Sequence, residues 1–177
     1  GDAPATIADA SRTFEAEYEV PFLAHACMEP MVSTALVTDT ACQLWSPSQQ
    51  QDLAREGAAE LSGLPLENVS LQNTFAGGGF GRKWEVDFDR QAVQVAMAVK
   101  GRPVSLIWTR EQDIQHDRYR PAYVARIRAA LDDDGNLIAM HSRLAGESIL
   151  QFQDRPRNFP DPTSVGGAVN ASYNIPN

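Results

Sequence analysis

The sequence predicts an α+β fold: a sheet with two packed helices reached through strand–helix–strand crossovers, plus an antiparallel hairpin. Three observations carry the prediction. Strand-like and helix-like runs alternate over residues 41–108. Period-two alternation over 123–131 leads into an Asp134-Gly135 turn signal. The 177 residues, 43% hydrophobic and 21% charged, also suffice for a real core.

The elements follow in order. The segment 1–11 reads as a leading linker. Residues 12–20 set Phe14, Ala16, Tyr18 and Val20 on one side against Glu15, Glu17 and Glu19 on the other, the pattern of a half-buried strand. After a loop at 21–30 come strand-like runs at 31–38 and 41–45. Ser46-Pro47-Ser48-Gln49 then offers a helix N-cap, Pro at the first helical position and Gln three residues after the cap. Leu53, Gly57 and Leu61 recur at helical spacing until Gly63 and Pro65 end the helix. Val69 to Phe75 reads as a strand, 77–81 as a glycine-rich turn, and a second helix from about Val86 sets Phe88, Ala92, Val95, Ala96 and Val99 on one face before Gly101. Val104 to Trp108 returns to a strand. Tyr123, Ala125, Ile127, Ala129 and Leu131 alternate with Val124, Arg126 and Arg128, and the run 137–145 beyond Asp134-Gly135 completes the hairpin. The main domain is thus expected over 12–150. The last segment, 151–177, holds four of the eleven prolines and is expected to be irregular and truncated.

Composition narrows the partners. A net charge of -8 repels nucleic acid and anionic membrane surfaces. No apolar run approaches the roughly 20 residues of a membrane span, and no basic-then-apolar leader opens the chain. Cys27 and Cys42, without a Cys-x-x-Cys pair and with three scattered histidines, make a structural zinc site improbable and leave free thiols or one disulfide open. Gly1 without an initiator Met, and an uncapped end at Asn177, predict a piece excised from a longer polypeptide.

The strongest chemical signal is Thr74-Phe75-Ala76-Gly77-Gly78-Gly79-Phe80-Gly81-Arg82-Lys83, between a predicted strand and a predicted helix. Four glycines in five positions let backbone N–H groups turn outward and approach an anion such as a phosphate or diphosphate. The other reading is a turn required only for close strand–helix packing. Glu85, Asp87 and Asp89 already complement the helix dipole and weaken the anion reading, with Arg82 and Lys83 partly offsetting them. Neither a P-loop nor a Gly-x-Gly-x-x-Gly pattern fits, because Arg82 follows Gly81. In His25-Ala26-Cys27-Met28-Glu29-Pro30, His25 and Glu29 could bracket a polar ligand, although satisfying loop backbone groups is the commoner role. The charge-dense stretch 110–121 reads as a solvated face.

Taken together, His-Ala-Cys-Met-Glu-Pro, Gly-Gly-Gly-Phe-Gly-Arg-Lys, Trp-Thr-Arg-Glu-Gln-Asp-Ile-Gln-His-Asp-Arg-Tyr-Arg-Pro and the terminal Tyr-Asn-Ile-Pro-Asn resemble the molybdopterin-binding large subunit of the xanthine dehydrogenase and aldehyde oxidase family. Over about residues 12–177 the chain looks most similar to the isoquinoline 1-oxidoreductase beta-subunit branch. The resemblance implies a hydroxylase that inserts water-derived oxygen into N-heterocycles or aldehydes. It implies a molybdopterin cofactor, in the cytosine dinucleotide form, and a small iron–sulfur partner subunit. Carried over by position, Gly78, Gly79, Phe80 and Gly81 would line the cofactor, with no direct metal ligand. Trp84, Arg118 and Arg120 would border the substrate pocket. Arg82 and Trp84 stand where many xanthine dehydrogenases have a second glycine and a glutamate, and Leu23 stands in the place of a glutamine near the metal. Purine recognition through that acid is therefore not expected, and Trp84 either walls the pocket or points into the core. The family's catalytic glutamate would lie beyond Asn177, so no catalytic residue is assigned and the isolated chain is expected to be inactive. The resemblance leaves periplasmic and cytoplasmic locations open, the former because this branch often carries a twin-arginine signal that would precede Gly1. The alternative to an enzyme piece is a self-contained, non-catalytic binding or assembly module.

Overall fold

Local signals set most element boundaries. Asp2 caps α1 (Ala3–Asp9): its side chain accepts the Ala5 N–H at 3.1 Å, and Pro4 sits in the first turn, where its missing N–H costs nothing. There follow β1 (Arg12–Val20), β2 (Val32–Val37), β3 (Cys42–Ser46), α2 (Gln51–Ser62), β4 (Val69–Asn73), α3 (Asp87–Ala98), β5 (Val104–Ile107) and α4 (Arg110–Gln115). The chain ends with β6 (Tyr123–Leu131), β7 (Leu137–Gly146), α5 (Ile149–Phe152) and α6 (Pro162–Val165). The computed structural model describes residues 1–152 and 160–177. The chain divides into two units, Ala24–Tyr119 and Gly1–Leu23 with Arg120–Asn177.

In the Ala24–Tyr119 unit, four strands lie in the order β4-β3-β2-β5. β3 and β4 are parallel, as their connection through α2 requires, whereas β2 is antiparallel to both β3 and β5. β5 therefore runs in the direction of β3 and β4, and the α3 connection returns across the sheet from one edge to the other. β2 buries every second residue, and Ala35, Val37, Leu44 and Val69 form the core with Ala92, Val93 and Ala96 of α3. α2 buries the small residues Ala54, Gly57 and Ala58 and sets Ala58, Ala59 and Leu61 against this core; a Cβ on Gly57 would stand 3.1 Å from the Arg90 guanidinium, so α3 packs tightly there. Gly63 ends α2 at φ 71, its N–H returning to the Ala59 carbonyl.

Two expectations need correction here. α2 begins at Gln51 rather than at Ser46, because Ser46 belongs to the β3–β4 ladder and its carbonyl accepts the Thr74 N–H at 3.0 Å. Ser48 turns the chain instead, its hydroxyl accepting the Gln50 N–H at 3.0 Å. On α3, Val95 and Val99 are exposed, and Asp89 and Val93 take the buried face beside Phe88, Ala92 and Ala96.

In the other unit the expected hairpin β6–β7 forms and gains β1 as a third strand, in the order β1-β6-β7, all antiparallel. Asp132 and Gly135, the latter at φ 87, close the turn; the Asp132 carboxylate accepts the Asn136 N–H at 2.7 Å. α1 supplies Ile7 to a small core with Ala130 and Ala139. The β1 strand is observed, but not as half-buried: Phe14, Tyr18 and Val20 are all exposed. Within 151–177, α6 and turns are seen among the described residues; the part at 153–159 lies outside them. No helix among the described residues is long and apolar enough to cross a membrane. Cys27 and Cys42 are both buried free thiols.

Candidate functional site

The loops after β3 and β4 leave the sheet from the carboxyl ends of two parallel strands, where open α/β sheets place their ligands. Positive φ at Gly78 (96), Phe80 (53) and Gly81 (99) coils the second loop and alternates the direction of its N–H groups. Three clamps hold it. The Glu29 N–H donates to the Gly77 carbonyl at 2.9 Å, and the Glu29 carboxylate accepts the Gly77 N–H at 3.1 Å. The Gln49 N–H donates to the Lys83 carbonyl at 2.9 Å, while its side-chain carbonyl accepts the Gly81 N–H at 3.1 Å. The Cys27 thiol donates to the Gly79 carbonyl at 3.3 Å, and burial pushes that thiol's pKa up, with Lys83 opposing the shift. A Cβ on Gly77 would meet the Glu29 Cβ at 2.6 Å, so glycine is required there, and one on Gly79 would meet the Gln49 amide oxygen at 2.5 Å and push that clamp aside.

The flanking cations are consumed as anchors. Lys83, fully buried, pairs with Glu29. Arg82, also buried, forks onto Asp87 and sets its Nε 3.1 Å from Asp117, an ion pair without full hydrogen-bond geometry, with its guanidinium carbon 5.4 Å from the Trp108 ring centre. Asp117 also holds His25, accepting its N–H and lying 3.1 Å from Nδ1 through each oxygen. What the loop leaves without a partner among the described residues is its backbone: the N–H groups of Gly78, Gly79 and Phe80 donate to nothing. Successive unpaired amides in a glycine-rich coil make an anion-binding concavity.

Residues 1–177 match the model of the molybdopterin cofactor-binding domain. The chain belongs to that family. It is 29% identical over 140 residues to the aldehyde oxidoreductase molybdenum-binding subunit PaoC of Escherichia coli O157:H7, covering 79% of this chain and 19% of that protein. It is 28% identical over 171 residues to isoquinoline 1-oxidoreductase subunit beta of Brevundimonas diminuta, covering 93% of this chain and 21% of that one. The solved aldehyde oxidoreductase from Desulfovibrio gigas superimposes with a TM-score of 0.69 at 29% identity, over 87% of this chain and 17% of its own. The chain spans about a fifth of the length of the curated relatives it matches.

Within this molybdopterin-binding domain, Gly78, Gly79, Phe80, Gly81 and Trp84 share one loop. Trp84 is 40% exposed and Phe80 69%, so neither ring lies in the core. Arg118 follows Asp117, whose carboxylate accepts the Arg118 N–H at 2.8 Å. Arg120 lies in the other unit, in a backbone bridge with Leu23. Glu29 has the role expected of a loop-satisfying residue, whereas 110–121 is not simply a solvated face: the Asp113 and Asp117 side chains are buried, and α4 starts from a Thr109 capping box.

Sequence reading missed Gln49, assigned there to a helix start, and Asp117, hidden in a charged run. Their signal is the demand of buried Arg82 and of the Gly81 N–H for acceptors. Beneath the loop, burial raises the Asp89 carboxyl from 3.8 to about 6, the Ser46 and Ser33 hydroxyls opposing the shift and Asp87 adding to it. None of these buried serine and Asp89 oxygens achieves full hydrogen-bond geometry among the described residues. A shallow open pocket of about 360 Å³, lined by Asp87, Gln91, Trp108, Gln112 and His116, adjoins the Arg82 anchor and takes no residue from the glycine loop.

Proposed function

We propose that the Gly78–Gly81 loop holds a molybdopterin cofactor, and that the chain is part of the cofactor-binding subunit of a hydroxylase acting on N-heterocycles or aldehydes. The observation that carries this reading is the set of unpaired Gly78, Gly79 and Phe80 N–H groups on a loop whose cations are already neutralised. Such a cradle suits oxygen or sulfur atoms bearing partial or full negative charge. The open side of Gly81, where a Cβ would find only His25 Nε2, at 4.0 Å, fits the close approach of a bulky group. When bound, the cofactor supplies two-electron oxidation of an electron-poor carbon with oxygen drawn from water.

This chain's own residues bind and orient. Gln49 and Glu29 fix the loop that carries these amides. Exposed Phe80 and Trp84 offer apolar walls that exclude water around an aromatic substrate, and Arg118 supplies charge for its polar edge. The proposal includes the cytosine dinucleotide form of the cofactor, a small iron–sulfur subunit as electron outlet and the isoquinoline type of substrate, the last supported by 28% identity over 93% of the chain. The catalytic base lies outside these residues, so the isolated chain is expected to show no turnover.

The test is Gly79→Val in the whole enzyme. A side chain there displaces Gln49 and crowds the amides, so molybdenum and pterin per subunit should fall to a small fraction of wild type. Full occupancy would reduce the loop to a structural turn.

A further inference from the structure

We propose that His25 is a ligand-contacting residue on the Gly81 side of the loop, where Nε2 makes a hydrogen bond with the molecule the loop holds. This rests on the reading of the loop as a cofactor cradle. Four donors converge on the Asp117 carboxylate: the His25 N–H, His25 Nδ1, Arg82 Nε at 3.1 Å and the Arg118 N–H at 2.8 Å. An ionised carboxylate only accepts, so Nδ1 carries a proton toward Asp117 and Nε2 is left for another partner.

That nitrogen is placed and unused. The His25 side chain is only 10% exposed, and Nε2 has no hydrogen-bond partner among the described residues. It lies 4.0 Å from where a Gly81 Cβ would stand, with nothing else that near. Nε2 is not among the fully buried atoms, so the otherwise buried ring keeps this nitrogen reachable from the Gly81 side. Ala26 and Phe80, the non-glycine residues with positive φ among those described, are the chain neighbours of His25 and Gly81, so the backbone is bent on both sides of the same spot. Orienting His25 against Asp117 requires Nδ1 alone. A purely structural histidine would not need Nε2 turned toward the glycine.

Two variants of the whole enzyme separate these roles. His25→Asn keeps a donor at the position of Nδ1 and removes Nε2; His25→Gln can place its amide oxygen near the position of Nε2. Molybdenum and pterin retained during dialysis are followed with time, beside the Tm of cofactor-free protein. Loss of one hydrogen bond to the ligand should speed cofactor release about tenfold in the Asn variant, with unchanged cofactor-free Tm and recovery to within about threefold in the Gln variant. Release at the wild-type rate from His25→Asn, or no recovery in His25→Gln, would overturn the proposal. So would a fall in cofactor-free Tm that accounts for the loss. Should His25→Asn fail to fold, acylation of His25 Nε2 by diethyl pyrocarbonate in the wild type decides: slower labelling of the loaded enzyme supports the contact and equal rates refute it. A Gly79→Val control that keeps its cofactor would locate the failure in the loop reading; loss there with full retention in His25→Asn locates it in His25.

Discussion

Arg82 grips Asp87 through two hydrogen bonds of 2.9 and 2.8 Å. The Arg82 side chain is fully buried, so this fork and the Asp117 ion pair replace the water it has lost. With Lys83 paired to Glu29 through one bond, the basic end of the glycine run is a pair of fasteners.

Arg82→Met should therefore destabilise the protein by about 3 kcal/mol, since it removes the guanidinium charge beside the buried Asp117 carboxylate and the fork onto Asp87. Arg82→Lys should recover only part, because an ammonium cannot fork. Urea denaturation measures both, and a change below about 1 kcal/mol for Arg82→Met would show the anchor to be dispensable.

Asp89 gives the protein a pH dependence of defined sign. Its folded pKa of about 6 exceeds the 3.8 of the unfolded chain, so its neutral form is favoured by folding. The stability this contributes is fully present below pH 3.8 and is lost as the pH rises through about 6. The loss is on the order of 3 kcal/mol. Asp89→Asn should be more stable than wild type at pH 8 and should flatten the curve between pH 4 and 6. A wild-type stability that rises over that interval, with no change on substitution, would contradict the assignment.

Gln49 and Gly79 should be energetically coupled. Gly79→Ala collides with the Gln49 amide, which holds the Gly81 N–H, and should cost about 2 kcal/mol. Gln49→Ala makes room, so the double variant should cost less than the two single changes together, by about 1 kcal/mol. Thermal unfolding of the four proteins in a double-mutant cycle reads the coupling directly, and simple additivity would mean that the two do not touch.

Trp84, partly exposed on the loop, should set substrate class in the whole enzyme. An indole wall with a single donor favours aromatic, weakly polar rings, whereas an acid there would select ligands able to satisfy it. Trp84→Glu should lower kcat/KM for isoquinoline-type substrates relative to purines by about tenfold or more. An unchanged ratio would remove Trp84 from the pocket.

Much of this was legible in the sequence because it is local. Gly63 stops a helix by its own φ, the glycines at 77–81 coil a loop by theirs, and Asp134-Gly135 turns a hairpin. Ser46 looked like a helix cap because its hydroxyl is of the right kind; it is a strand residue because β4, far along the chain, claims its backbone. Asp117 read as solvent-exposed because charge in a charged run usually is, and only the folded chain brings His25 and Arg82 to it across long separations. The pairing of β1 with β6 was invisible for the same reason. Val95 and Val99 satisfied the helical period, yet the sheet meets the face of Asp89 and Val93.

Amide hydrogen exchange across the glycine loop tests the central claim most directly, in the whole enzyme with and without its cofactor. The N–H groups of Gly78, Gly79 and Phe80 have no partner among the described residues, so they should exchange rapidly when the cofactor is absent and become strongly protected when it is bound, while Gly81, already bonded to Gln49, changes less. Equal exchange of the three amides in the two states would contradict the account.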